Sequence, residues 1–101
     1  MHLIQILLPL YDNQQRPVDP ALHEEVKRTI AQKFGGLTAY TRSPAEGRWS
    51  QGGAEVKDEI VVYEIMTSAL DAGWWEEYRH ALEAQFEQQE IVIRALGMRM
   101  L

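Results

Sequence analysis

The sequence predicts a small α+β domain in which strands and helices follow the order βαββαβ, folded as a four-stranded antiparallel sheet with two helices on one face. Three observations carry this. Two stretches repeat apolar residues at the three- and four-residue spacing of a helix with one buried stripe. Four stretches are rich in β-branched and aromatic residues, which favour strands. The strand–helix–strand order occurs twice with the helices separated by a hairpin, the split βαβ arrangement. A length of 101 residues suits a single domain spanning 1–101.

Residues 3–11 form the first strand. Ile4, Ile6, Leu8 and Leu10 share one side, and Leu3, Gln5, Leu7, Pro9 and Tyr11 share the other. Both sides are largely apolar, so both need cover. Pro9 has no N–H for a ladder and marks a strand end or a bulge. Residues 12–18 are a polar loop. Asp19 then reads as an N-cap with Pro20 at the first helical position, where a missing N–H costs nothing. Leu22, Val26, Ile30 and Phe34 make one stripe, and Gly35-Gly36 end the helix.

Leu37 to Arg42 is the second strand. Residues 43–56 are a long connection punctuated by Pro44, Gly47, Gly52 and Gly53, with Trp49 inside it. Residues 57–67 are the third strand. Ser68 and Asp71 are both candidate caps for the second helix. Trp75, Tyr78, Leu82 and Phe86 form its buried stripe, while Glu76, Glu77, Glu83 and Glu87 line its wet side. Ile91 to Leu96 is the last strand, and Gly97 marks its end.

Composition excludes several functions. Hydrophobic residues at 46% and charged residues at 25% are ordinary for a folded domain and argue against disorder. A formal charge of −5 makes non-specific nucleic-acid binding unfavourable, because that binding rests on cations displacing counterions from phosphates. With no cysteine, disulfides, thiolate nucleophiles and Cys-based zinc sites are excluded, and a cytoplasmic setting is expected. Leu3 to Leu10 is read as a buried strand: no Lys or Arg precedes it, Gln5 and Pro9 interrupt it, and it is far too short to span a bilayer. No membrane partner is expected.

The best site candidates surround the long connection. Tyr40, Arg42, Arg48 and Trp49 lie close in sequence, and guanidinium groups beside aromatic rings can hold a carboxylate or a planar ring. The competing reading is an ordinary packed loop with arginines paired to surface acids. Glu64 alternates with Tyr63 and Ile65. On an enclosed face it would serve as an acid or base, and on an open face it would be a solvated strand residue. Trp74 and Trp75 cannot face the same way on a helix, so one packs inward and the other meets a loop, a partner or a ligand. Trp75 is carried as a ligand-binding candidate. His2, His23 and His80 lack metal-ligand spacing, and His23 and His80 read as surface histidines. No phosphate-cradling loop, nucleophile elbow or zinc-protease motif is present.

The element order, with apolar residues on the face that the helices leave bare, resembles the ferredoxin-like domains that pair into a dimeric α/β barrel. The stretches Gly36-Leu37-Thr38-Ala39-Tyr40, Arg42-Ser43-Pro44-Ala45-Glu46-Gly47-Arg48-Trp49 and Glu90-Ile91-Val92-Ile93 resemble small uncharacterised bacterial proteins, a resemblance that confers no activity. The barrel group includes small monooxygenases, haem-handling enzymes, isomerases and dehydratases, so the fold alone does not choose among them. Its cofactor-free monooxygenases rely on Asn, Trp and His in the cavity, whereas the only Asn here is Asn13 in a loop. A haem-binding member needs an axial His, and no His is suitably placed. No cofactor is expected.

Two functions remain in view. One is a small domain binding an anionic or aromatic ligand, with Tyr40, Arg42, Arg48, Trp49 and Trp75 as ligand contacts and Glu64 as acid or base. The other is a non-catalytic interaction or regulatory module. A homodimer through the open sheet face is expected, since a second copy is the simplest cover for it; in the module reading that face is the functional surface and the acidic helix the contact for a partner.

Overall fold

The computed structural model describes residues 1–36, 38–42, 50–51, 54–55 and 59–101, and the side chains of residues 1–36, 38 and 59–101. The chain order is β1 (His2–Pro9), α1 (Pro20–Phe34), β2 (Thr38–Arg42), β3 (Ser50–Gln51), β4 (Ala54–Glu55), β5 (Ile60–Thr67), α2 (Ala72–Gln85) and β6 (Val92–Gly97). The main sheet has four strands in the order β2-β5-β1-β6, with antiparallel pairings throughout. This is the ferredoxin-like arrangement. The short pair β3-β4 forms a separate two-stranded sheet.

Each boundary follows from local chemistry. Pro9 ends β1, and Tyr11 instead makes an isolated bridge to Pro17. Asp19 caps α1 by accepting from the Ala21 N–H, with Pro20 in the first turn. Gly35 closes it with φ +83°, a left-handed conformation that glycine adopts without a Cβ clash. At α2 the cap is Asp71, which accepts from the Trp74 N–H. Ser68 lies outside the helix, four residues ahead of Ala72. Gly97 belongs to β6 rather than following it.

Alternation sends the two faces of the sheet to different environments. Ile4, Ile6 and Leu8 of β1 lie opposite Ile65, Tyr63 and Val61 of β5, and all six are buried. Val26 and Ile30 of α1, Trp75 and Leu82 of α2, and Phe86 and Ile91 complete that core. Leu3, Gln5 and Leu7 occupy the other face, opposite Met66, Glu64 and Val62.

His23 is a buried core residue of α1, only 8% exposed, not a surface histidine. Its Nε2–H donates to the Pro9 carbonyl at 3.1 Å, which leaves Nδ1 to accept from the Tyr63 hydroxyl at 2.8 Å. Phe86 packs edge-on against the ring. Burial pushes the His23 pKa down, opposed by the Pro9 carbonyl, with Lys27 lowering it and Glu24 raising it. The same burial pushes the Tyr63 phenol up to about 12.

Three outcomes follow. Ile6→Asp abolishes the folded far-UV circular dichroism, because an unpaired carboxylate enters the core, whereas Leu7→Asp on the other face retains it. Because the folded pKa of His23 lies below 6.5, the unfolded chain binds more protons as pH falls below that value. Its contribution is full above pH 6.5 and is lost as pH drops through the folded pKa. Tyr63→Phe leaves Nδ1 without its donor and costs about 1–3 kcal/mol in urea unfolding at neutral pH. An unchanged midpoint would show that the hydroxyl contributes nothing.

Candidate functional site

The face away from the helices carries a polar row across an apolar surface. Gln5 on central strand β1 lies opposite Glu64 on β5 and Arg94 on β6. Its Nε2 donates to the Glu64 carboxylate at 2.6 Å, and its Oε1 accepts from the Arg94 Nε–H at 2.6 Å. One amide thus joins an acid to a base, and these two bonds fix which way it is turned. Leu3, Met66 and Leu96 lie on one side of this row, and Leu7, Val62 and Val92 on the other. Met66 is 54% exposed, Val92 46% and Leu96 44%, whereas Val62 on the same face is buried, so the exposed apolar area lies around Met66 and along edge strand β6.

Glu64 also lines a groove of about 420 Å³ at the end of α1. Leu3, Phe34, Ile65 and Met66 give it apolar walls. Thr38 supplies a hydroxyl, and Gly35 and Gly36 supply backbone with open space where a Cβ would stand. The arrangement offers a carboxylate, a hydroxyl and a flat apolar wall.

A second groove, of about 230 Å³, lies between α2 and edge strand β6. Its lining includes Trp75, Ile4, Ile93, Glu76, Arg79 and Arg94. Trp75 is buried against the core and stacks on Phe34 at 5.3 Å. Trp74 takes the outer position, under the Lys33 ammonium at 4.6 Å and stacked on Tyr78 at 4.9 Å.

The sequence candidates therefore separate. Glu64 belongs to the first groove and Trp75 to the second. Tyr40 and Arg42 lie on edge strand β2, in register with Val62 and Ile60 of β5, and their side chains lie outside the described residues. Arg48 and Trp49 lie outside the described residues altogether. Gln5, Arg79, Arg94 and Glu76 were not singled out as site residues by sequence reasoning. Gln5 was the one visible signal, a lone polar residue in an apolar strand. Glu83, expected on the wet side of α2, is drawn inward by the Ile91 N–H at 2.9 Å and by Arg79 at 3.0 Å. Those contacts, led by the Ile91 N–H, lower its pKa. Among the described residues there is no cluster of acids and histidines that could hold a metal, and no helix long and apolar enough to cross a membrane.

No family model matches this sequence, and no curated protein matches it. Solved structures do resemble it. A phage SAM lyase in complex with S-methyl-5'-thioadenosine superposes with a TM-score of 0.65 at 13% identity, over 94% of this chain and 79% of that one. CutA1 from Pyrococcus horikoshii gives 0.57 at 14% identity, over 100% and 86%. The PII-like protein CutA from Nostoc gives 0.55 at 12% identity, over 97% and 81%. At such identities the likeness establishes the ferredoxin-like fold.

Proposed function

We propose that the chain is a small-molecule-binding domain that takes a heteroaromatic ligand of nucleoside class in the groove beside Glu64, with a second copy covering the open sheet face. The observation that carries this is the groove itself. Its volume of about 420 Å³ falls in the range of small-ligand sites. The apolar walls suit a planar ring, and the glycine backbone permits close approach. The Glu64 carboxylate and the Thr38 hydroxyl can hold sugar hydroxyls or an exocyclic amine. The S-methyl-5'-thioadenosine bound by the phage SAM lyase, which shares the fold, supports a nucleoside over other aromatic ligands. Glu64 is the residue best placed for acid or base chemistry on such a ligand, and Tyr40 and Arg42 on the neighbouring strand remain candidate contacts.

Self-association is supported by the exposed Met66, Val92 and Leu96 around the polar row. The acidic charge and the lack of cysteine support a cytoplasmic setting without nucleic-acid or membrane partners. The same exposed residues favour a second reading, a non-catalytic module whose open face receives another protein.

The expected outcome is a rise in melting temperature of about 5 °C or more with saturating S-methyl-5'-thioadenosine or adenosine. Glu64→Gln weakens the midpoint concentration about tenfold while leaving the free protein folded. The absence of a shift with either nucleoside overturns the ligand assignment and leaves the interaction module.

A further inference from the structure

The open sheet face has a charge order that runs across its strands. Glu64 on β5, Gln5 on β1 and Arg94 on β6 lie in one row, with the acid at one end and the base at the other. The row beside it is apolar throughout. Leu3 is at its centre, with the exposed Met66 and Leu96 on either side. The apolar row is therefore alike on both sides of β1, whereas the charged row changes sign across it.

Gln5 stands between Glu64 and Arg94, so within one chain the two charges meet only through its amide. Arg94 is tied through Nε to the Gln5 carbonyl at 2.6 Å, and among the described residues its two Nη atoms make no hydrogen bond or ion pair. A guanidinium anchored through one nitrogen keeps its remaining donors for a carboxylate. Gln5 donates to one oxygen of Glu64, and a carboxylate has further lone pairs for other donors.

A second copy can be laid on this face by a two-fold rotation in two simple ways. An axis along β1 exchanges the β5 and β6 sides and keeps each residue's level along the strand. Glu64 then faces the partner's Arg94, Met66 faces the partner's Leu96, and Leu3 faces the partner's Leu3. An axis along the charged row sets Glu64 on the partner's Glu64 and Arg94 on the partner's Arg94. Packed sheets lie about 10 Å apart with their side chains interdigitated, so like charges there repel in a poorly hydrated layer. Charge complementarity selects the first arrangement.

We propose that the copy covering the open face is related by a two-fold axis along β1, so that each chain's Arg94 pairs with the partner's Glu64 and completes the groove beside it. None of the described residues lining that groove is a cation, so the second chain supplies its positive charge. This rests on the second copy proposed above and adds its orientation.

Charge reversal read by native mass spectrometry at micromolar concentration tests this, with far-UV circular dichroism to confirm folding. Glu64→Lys and Arg94→Glu each set like charges together at both contacts, and each alone loses the dimer. Mixed in equal amounts they form a heterodimer, because both contacts then join opposite charges. Repair within one chain cannot produce that result. Glu77→Lys, at an exposed position on α2 with the same change in net charge as Glu64→Lys, stays dimeric. A second measurement needs no charge reversal. Chains carrying Met66→Cys and Leu96→Cys, both at exposed positions, cross-link to each other through a short bis-maleimide in preference to themselves. Wild-type monomers alone overturn the second copy itself. Wild-type dimers that survive either reversal, or that mixing the two reversals does not restore, overturn the orientation and leave the covered face standing. Wild-type trimers do the same.

Discussion

The structure depends on β1 being a central strand with two different faces. It pairs with β5 on one side and β6 on the other, so its register sets both neighbours. A strand has a side-chain period of two, and a slip of one residue would exchange its faces. Burying Ile4, Ile6 and Leu8 under the helices therefore commits Leu3, Gln5 and Leu7 to the opposite side. The hydrophobic gain from the first set fixes the register that aligns Gln5 with both Glu64 and Arg94. A polar row on the open face is thus a consequence of core packing on the other.

The chemistry of the molecule follows from how each side handles polar groups. On the helix side His23 is tolerated because both ring nitrogens are satisfied, by the Pro9 carbonyl and the Tyr63 hydroxyl. On the open side Gln5 links opposite charges, so that Glu64 and Arg94 are both anchored yet each borders a groove. The grooves differ in kind. One offers a carboxylate against a flat apolar wall, and the other sets the Arg79 and Glu76 side chains of α2 beside an indole floor.

Local signals in the chain were enough to place the helices and central strands. Asp19-Pro20 and Gly35 bound α1 because caps act through adjacent backbone groups. Features that need tertiary register were harder to read. His23 sits among Glu24, Glu25 and Lys27 and looks solvated, yet it is spaced three and seven residues from Val26 and Ile30 and shares their buried face. Glu83 resembles its acidic neighbours in sequence, and only its contact with the Ile91 N–H distinguishes it. Glu64 was legible as a candidate because a carboxylate in an apolar strand is conspicuous. Its partner Gln5 lies 59 residues away and becomes visible only through strand pairing. Arg48 and Trp49, drawn from the long connection, lie outside the described residues.

The central claim is that the face bearing the Glu64–Gln5–Arg94 row is covered by another copy of the chain. A native mass spectrum of the purified protein measures this directly. The account predicts an assembly of at least two chains that a carboxylate at Leu7, on the same face, breaks into folded monomers. A wild-type spectrum containing only bare monomer at micromolar concentration would contradict it.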